Sequence, residues 1–299
     1  MSFSFKFDIP DAQEEDTNEG ELIELGSKQV NKPIAPYEEV LPVPEHENLH
    51  EDVEKSVLDL MTIKVEFLVG SQMESLLRGD ILEAAEENLD IVPSVYEGGM
   101  KVWECSIDLA EYMENNLNID DETKVLELGC GAGLPGLLAC LKGASVDFQD
   151  YNKQVLELIT IPNAFANIGA RVKKRCQFFA GDWSALEDNI APSQYDVILT
   201  SETIYSTSSY KSLIAVLKKA VKRTGFILVA AKTCYFGVGG GTRLFEDALA
   251  EDGFFTSRVV FCIDPNKRRP PKCDPPVISR PFGGVPIGPA IPQIPRRRQ

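Results

Sequence analysis

Five short apolar runs punctuate the middle of the chain: KVLELG (124–129), SVDFQD (145–150), CQFFAG (176–181), YDVILTS (195–201) and GFILVAAK (225–232). Amphipathic stretches separate them. Runs of this length, with helices between, predict a parallel sheet covered on both faces, an α/β fold of the Rossmann-like class. Ahead of the first run, Lys101 to Asn115 places Val102, Ile107, Leu109 and Tyr112 near helical spacing, and polar NNLNIDDE follows. That pattern predicts a helix and then a loop. GFFTSRVVFCI (253–263) reads as a sixth strand.

Outside this core the pattern fades. Residues 8 to 60 mix acidic residues with Pro33, Pro36, Pro42 and Pro44 and show little periodicity, so 1–60 is expected to be mostly unfolded. Residues 61–94, with partial secondary structure, are expected to link it to a domain at 95–263. Beyond that domain, 10 of the 19 prolines fall within 265–295, which predicts a disordered tail over 264–299. Proline removes ladder donors, so the tail is not expected to supply a central strand. The final strand of the sheet is therefore expected to be missing or replaced.

Charge sharpens this division. The net charge is −16, yet residues 1–60 hold 16 acidic and 4 basic side chains, whereas 261–299 hold 2 acidic and 8 basic. An acidic chain repels nucleic-acid phosphates and favours a basic protein partner. The seven cysteines form no C-x-x-C pair, and His46 and His50 both lie in the acidic head, so no metal site is expected. The opening MSFSFKFDIP lacks a basic start and a long apolar run, and no window reaches transmembrane length. The expected location is cytoplasm and nucleus, with no membrane partner and a monomeric state.

The first apolar run continues into VLELGCGAGLPG (125–136), which parses in two ways. Glu127, Gly129, Gly131 and Gly133 form E-x-G-x-G-x-G, the nucleoside-binding turn of a methyltransferase. Gly131 to Gly136 form a literal G-x-G-x-x-G, which would suit a dinucleotide-dependent oxidoreductase. Asp150 stands 19 residues after Gly131 at the end of the second run, where a carboxylate can accept ribose hydroxyls, and fits both. Glu127 is a charge inside an apolar strand and needs a partner, either the amino group of S-adenosylmethionine or a lysine or arginine of the protein. The third run ends in Gly181, Asp182, Trp183 and Ser184, able to bind an adenine amino group and pack its ring, and the fourth ends in TSETIY.

VYEGGMKVWECSIDL (95–109), VLELGCGAGLPG, FQDYN (148–152), LTSETIY (199–205) and KTCYFGVGGG (232–241) together resemble the eukaryotic protein-histidine methyltransferases, over about 95–263. The resemblance implies a seven-strand, S-adenosylmethionine-dependent enzyme that methylates one histidine of a large-subunit ribosomal protein, ribosomal protein L-three. It implies that Trp103, Glu104, Cys105 and Ser106 belong to a helix closing over the cofactor, that Gly129, Gly131 and Gly133 form its glycine turn, and that Asp150, Tyr151 and Asn152 hold its ribose. Gly181, Asp182 and Trp183 fall on the adenine side, and Thr200, Ser201 and Glu202 beside the methyl donor. Glu202, just past the fourth strand, is the candidate to accept the second ring N–H of a substrate histidine, with Glu104 next; Tyr235, Phe236, Gly239 and Gly240 are candidates for substrate contact. The residues leave three other readings open: a non-catalytic or truncated cofactor-binding form, a methyltransferase for lysine or a small molecule, and the oxidoreductase.

Overall fold

The computed structural model describes residues 34–49, 53–68, 70–87, 89–262 and 276–279. Its main sheet has eight strands in the order β1-β6-β5-β4-β7-β8-β10-β9. They are β1 (Glu38–Glu39), β4 (Lys124–Leu128), β5 (Ser145–Asp150), β6 (Cys176–Ala180), β7 (Tyr195–Ser201), β8 (Val221–Ala230), β9 (Thr256–Val259) and β10 (Pro276–Ser279), while β2 (Lys55–Asp59) and β3 (Lys64–Leu68) form a separate antiparallel hairpin. The central β6, β5, β4, β7 and β8 are parallel and coincide with the five apolar runs.

The helices are α1 (Pro44–Asn48), α2 (Asp80–Glu86), α3 (Glu104–Asn116), α4 (Leu134–Lys142), α5 (Lys153–Val155), α6 (Ile161–Ile168), α7 (Val172–Arg175), α8 (Trp183–Asn189), α9 (Tyr210–Ala220) and α10 (Thr242–Asp252). Successive strand residues point to opposite faces, and this sorts the core in two. Val125, Val197, Leu199 and Leu228 pack with Leu109 of α3, Leu137 of α4 and Phe165 of α6. Leu126, Ile198, Ile227 and Val229 pack on the other face with Leu186 of α8, Leu217 of α9 and Phe245 of α10. The same alternation puts Glu127 on the face of Val125, beneath α4.

Two sequence expectations are corrected. The head is not wholly unfolded in its described part: β1 pairs with β6, α1 follows, and the β2–β3 hairpin crosses the boundary drawn at residue 60, beyond which β3 and α2 are the partial secondary structure expected there. The tail does supply an inner strand. Pro276–Ser279 runs antiparallel between β8 and β9, with Val277 opposite both Leu228 and Arg258. The place between β8 and β9 is therefore filled, and Pro276 stands at the first position of this strand, where proline is tolerated. Residues 1–33 and 280–299, including the acidic opening and the closing arginines, lie outside the described residues.

Candidate active site

The parallel strands bring their carboxyl ends to one rim, where open α/β sheets place ligands. A cavity of about 570 Å³ opens there, lined by the loops after β4, β5, β6 and β7 and by residues 93–103. This volume suits a nucleoside-sized ligand. Its floor is the turn from β4 into α4. Gly131 adopts φ 49°, and a side chain there would stand 3.1 Å from the carbonyl oxygen of Gly99, so the loop carrying Gly98 and Gly99 lies directly on the glycine turn.

Asp150 at the end of β5 ties these pieces together. Its Oδ2 accepts the Gly131 N–H at 2.9 Å and its Oδ1 the Asn152 N–H at 3.0 Å. Burial pushes its pKa up to about 6, against the lowering effect of those donors. Asn152 turns from the cavity to the preceding loop: its side chain accepts the Glu97 N–H and donates to the Val95 carbonyl. Tyr151 lines the cavity and donates its hydroxyl to the Ser94 carbonyl. Glu97, absent from the sequence-based candidates, is thereby held in the cavity wall. Its carboxylate accepts the Ser94 N–H and the Tyr205 hydroxyl, and burial, reinforced by Asp150 and Asp182, pushes its pKa up to about 7.

On the β6 side, Gly181, Asp182, Trp183 and Ser184 all line the cavity. Asp182 also caps α8, accepting the Ser184 N–H at 2.8 Å, so one carboxylate serves both the helix start and the cavity wall. Trp183 donates its indole N–H to Gln149 Oε1 at 2.8 Å, and Gln149 Nε2 donates to the Gly181 carbonyl at 2.8 Å. Gln149 thus fixes the indole plane from below. It sits in FQDYN, but nothing in sequence distinguishes a glutamine facing the sheet from one facing solvent.

Glu202 lines the cavity with φ 56°, its N–H donating to the Ala230 carbonyl at 2.9 Å. Its carboxylate receives the Tyr235 hydroxyl, the Lys232 ammonium at 3.5 Å and the Cys105 main-chain N–H. Burial raises its pKa, while these partners pull it back. Trp103 also lines the cavity. It donates to the Gly98 carbonyl at 3.0 Å and lies between the ammonium groups of Lys101 and Lys232, 5.1 and 5.8 Å from its ring centroid.

Ser106 and Ser201 join these residues at the wall, as do Gly129 and Thr203. Several sequence candidates do not. Glu127 is only 1 % exposed and turns beneath α4, where its Oε2 accepts the Gly136 N–H at 2.8 Å; among the described residues no lysine or arginine forms an ion pair with it. Burial pushes its pKa to about 8. Gly133 is the N-cap of α4 and faces Phe148. Thr200 is fully buried and clamps β7 to β4 through the Leu128 carbonyl. Cys105 is buried in the core, and Glu104 is exposed at the first turn of α3. Tyr235 does not line the cavity but touches two residues that do, Glu202 through its hydroxyl and Tyr205 edge-to-face, and Phe236 is 86 % exposed. Gly240 is packed against the chain rather than open to a peptide, since a side chain there would stand 2.3 Å from the Ile204 carbonyl oxygen; Gly239 has open space around it.

A glycine turn, a strand-end acid, an oriented indole and a nucleoside-sized cavity at one rim define a nucleotide-type α/β enzyme fold, with Gly136 packing α4 closely against Glu127 and Phe148. A family model described as lysine methyltransferase matches residues 83–237. The histidine protein methyltransferase 1 homologue of Dictyostelium discoideum is 43% identical over 164 residues, covering 54% of this chain and 52% of its own length. The homologue of Mus musculus is 35% identical over 257 residues, covering 77% and 67%, and histidine protein methyltransferase 1 of Schizosaccharomyces pombe is 32% identical over 238 residues, covering 64% and 67%. The chain belongs to the eukaryotic protein-histidine methyltransferase family. It spans between about half and two thirds of the length of these relatives.

Membership brings S-adenosylmethionine as the cofactor. The donor set fits it: the cavity offers Glu97, Asp150 and Asp182 to a cationic ligand rich in hydroxyl and amino hydrogens, Trp103 and Trp183 to a flat ring, and a glycine turn for close approach.

Proposed function

We propose that the chain transfers a methyl group from S-adenosylmethionine to a ring nitrogen of a histidine in a protein, and that this protein is the large-subunit ribosomal protein L-three, a basic partner for an acidic chain. The observation that carries the reading is the convergence of four strand ends and the Trp103 segment on one cavity of cofactor size. Asp150 and Tyr151 hold the ribose side, Asp182 and Trp183 the adenine side, and Ser106, Gly129, Gly131 and Ser201 complete the cradle.

When bound, S-adenosylmethionine supplies a methyl group on a positively charged sulfur, so that forming the N–C bond breaks the S–C bond and moves the positive charge onto the acceptor ring. The protein's task is to hold the ring lone pair in line and keep water out. A histidine ring, with an ordinary pKa of about 6.5, is mostly neutral at pH 7 and needs no strong base. Glu202 faces the acceptor ring with its carboxylate, favouring the tautomer whose other ring N–H points to it and stabilising the imidazolium that forms; Lys232 and Tyr235 fix its carboxylate. Phe236, exposed beside this group, meets the incoming substrate.

Incubation with large-subunit ribosomal proteins and isotopically labelled cofactor, followed by mass spectrometry, tests the reading. A label on a histidine of protein L-three supports it. A label on lysine would favour the second reading, which the description of the family model motivates, although the named lysine methyltransferase of Mus musculus that modifies EEF1A is 31% identical over only 44% of this chain. Glu202→Gln should slow turnover on the order of a hundredfold, as general acid–base groups do, with cofactor affinity within a few-fold. Unchanged turnover would remove Glu202 from the chemistry.

A further inference from the structure

The loop carrying Glu97 and the loop carrying Tyr205 come from opposite sides of the cavity, the first preceding α3 and the second following β7, and they meet through the hydrogen bond between these two side chains. Both residues line the cavity. The Glu97 main chain is pinned by Asn152, its carboxylate by Ser94, and the neighbouring Gly99 rests on Gly131. Glu97 therefore cannot swing out to solvent without breaking the loop. Lys101, the lysine in the cavity wall, is paired with Asp90 at 3.0 Å and stacks on Trp103, so it does not neutralise Glu97.

We infer that Glu97, held by Tyr205, is the residue by which the site tells the positively charged methyl donor from its neutral thioether product. This rests on the proposed function, since it concerns which ligand of that same cavity is favoured. A carboxylate enclosed in a cavity is stabilised by a fixed positive charge within it, and the effect grows as the surroundings lose water. S-adenosylmethionine and S-adenosylhomocysteine share their ribose, adenine and amino-acid groups and differ in the methyl and in the charge at sulfur. An acid that senses the sulfur charge shifts the ratio of their affinities, whereas one that merely shapes the cavity shifts both together. Once the methyl group has left, the attraction is gone and product release is eased.

Isothermal titration of the full chain with each compound decides this. Relative to the unsubstituted chain, Glu97→Gln should weaken S-adenosylmethionine binding about tenfold and S-adenosylhomocysteine binding less than twofold, and Glu97→Asp, which keeps the charge, should recover at least half of the lost selectivity. Thermal unfolding of both variants checks that the fold is kept. Equal loss for both compounds, or no loss for either, would overturn the inference. Should the unsubstituted chain bind neither compound, the proposed function fails instead, and the two failures are told apart by that control.

Discussion

Replacing Gly136 by alanine tests what the last glycine of GAGLPG is for. An alanine Cβ would lie 2.4 Å from Phe148 Cε1 and 2.5 Å from Glu127 Oε2. Both neighbours are buried, Phe148 by stacking on Phe178 and Glu127 by α4, so neither has room to give way. Overpacking of this kind costs about 1–3 kcal/mol. Moving α4 off the sheet also lengthens the 2.8 Å hydrogen bond from Gly136 to Glu127, the bond that serves a carboxyl whose Oε1 is already buried without a partner, and this costs about 1–3 kcal/mol more. The better helix propensity of alanine offsets at most about 1 kcal/mol. A net loss of about 3 kcal/mol follows, or roughly 6–12 °C in Tm for a domain of this size. Gly136 does not line the cavity, so the affinity of the folded protein for S-adenosylhomocysteine should stay within about twofold. Urea denaturation and isothermal titration of Gly136→Ala measure the two. Stability within about 1 kcal/mol of the unsubstituted chain would show that close packing of α4 does not require this glycine, and intact stability with a tenfold weaker ligand would place it in ligand binding instead.

The other predictions concern the elements around the site. Glu127 ionises near 4.5 when unfolded but at about 8 in the fold, so between those values the folded chain keeps a proton that the unfolded chain has released. Stability attributable to this group is full below about pH 4.5, falls as pH rises to about 8 and is level above; Glu127→Gln should show a shallower decline of the urea midpoint from pH 5 to 8. Gly240→Val should lower stability by about 1–3 kcal/mol, because its side chain would drive into the carbonyls of Ile204 and Tyr205; an unchanged unfolding midpoint together with lost substrate methylation would instead mark an open substrate loop. Truncation after Cys262 removes β10, unpairs β8 and β9, and should lower Tm by several degrees while leaving every cavity-lining residue in place; an unchanged Tm would show that the tail strand contributes nothing.

The five parallel strands were legible because burial on both faces leaves few polar positions inside them, so Val125, Leu126 and Leu128, or Val197, Ile198 and Leu199, stand out as runs. Their polar ends were legible for the complementary reason, that polarity there has to meet something. Edge elements carry no such mark. Glu38 and Glu39 are both exposed, and only their pairing with Phe179 and Ala180 makes them a strand. Pro276–Ser279 lies in a proline-rich run, and its strand follows from two neighbours lacking a partner between them. The direction of a side chain at a strand end was the other hidden quantity. Glu127 and Glu202 look alike in sequence, yet period-two alternation sends the first beneath α4, while a left-handed residue after β7 turns the second into the cavity. Glu97 was missed because its environment is made by Asn152 and Tyr205, 55 and 108 residues further on.

These acids also make binding and protonation one event. Burial raises the pKa of Asp150 to about 6 and of Glu97 to about 7, so near neutral pH Glu97 is only part ionised in the ligand-free protein. The groups facing it are Asp150 and Asp182, which disfavour its charge, and the Tyr205 hydroxyl and Ser94 N–H, which favour it. A cation entering the cavity stabilises the ionised form and lowers this pKa, so protons leave the protein on binding. At pH 7 a part-ionised carboxyl has a fraction of a proton to release, and at pH 9 almost none. Titration with S-adenosylmethionine at pH 7 should therefore give different apparent enthalpies in phosphate and in Tris, whose ionisation heats differ. That difference should shrink at pH 9 and in Glu97→Gln. Equal enthalpies in the two buffers at pH 7 would mean that Glu97 does not change protonation when the cation enters.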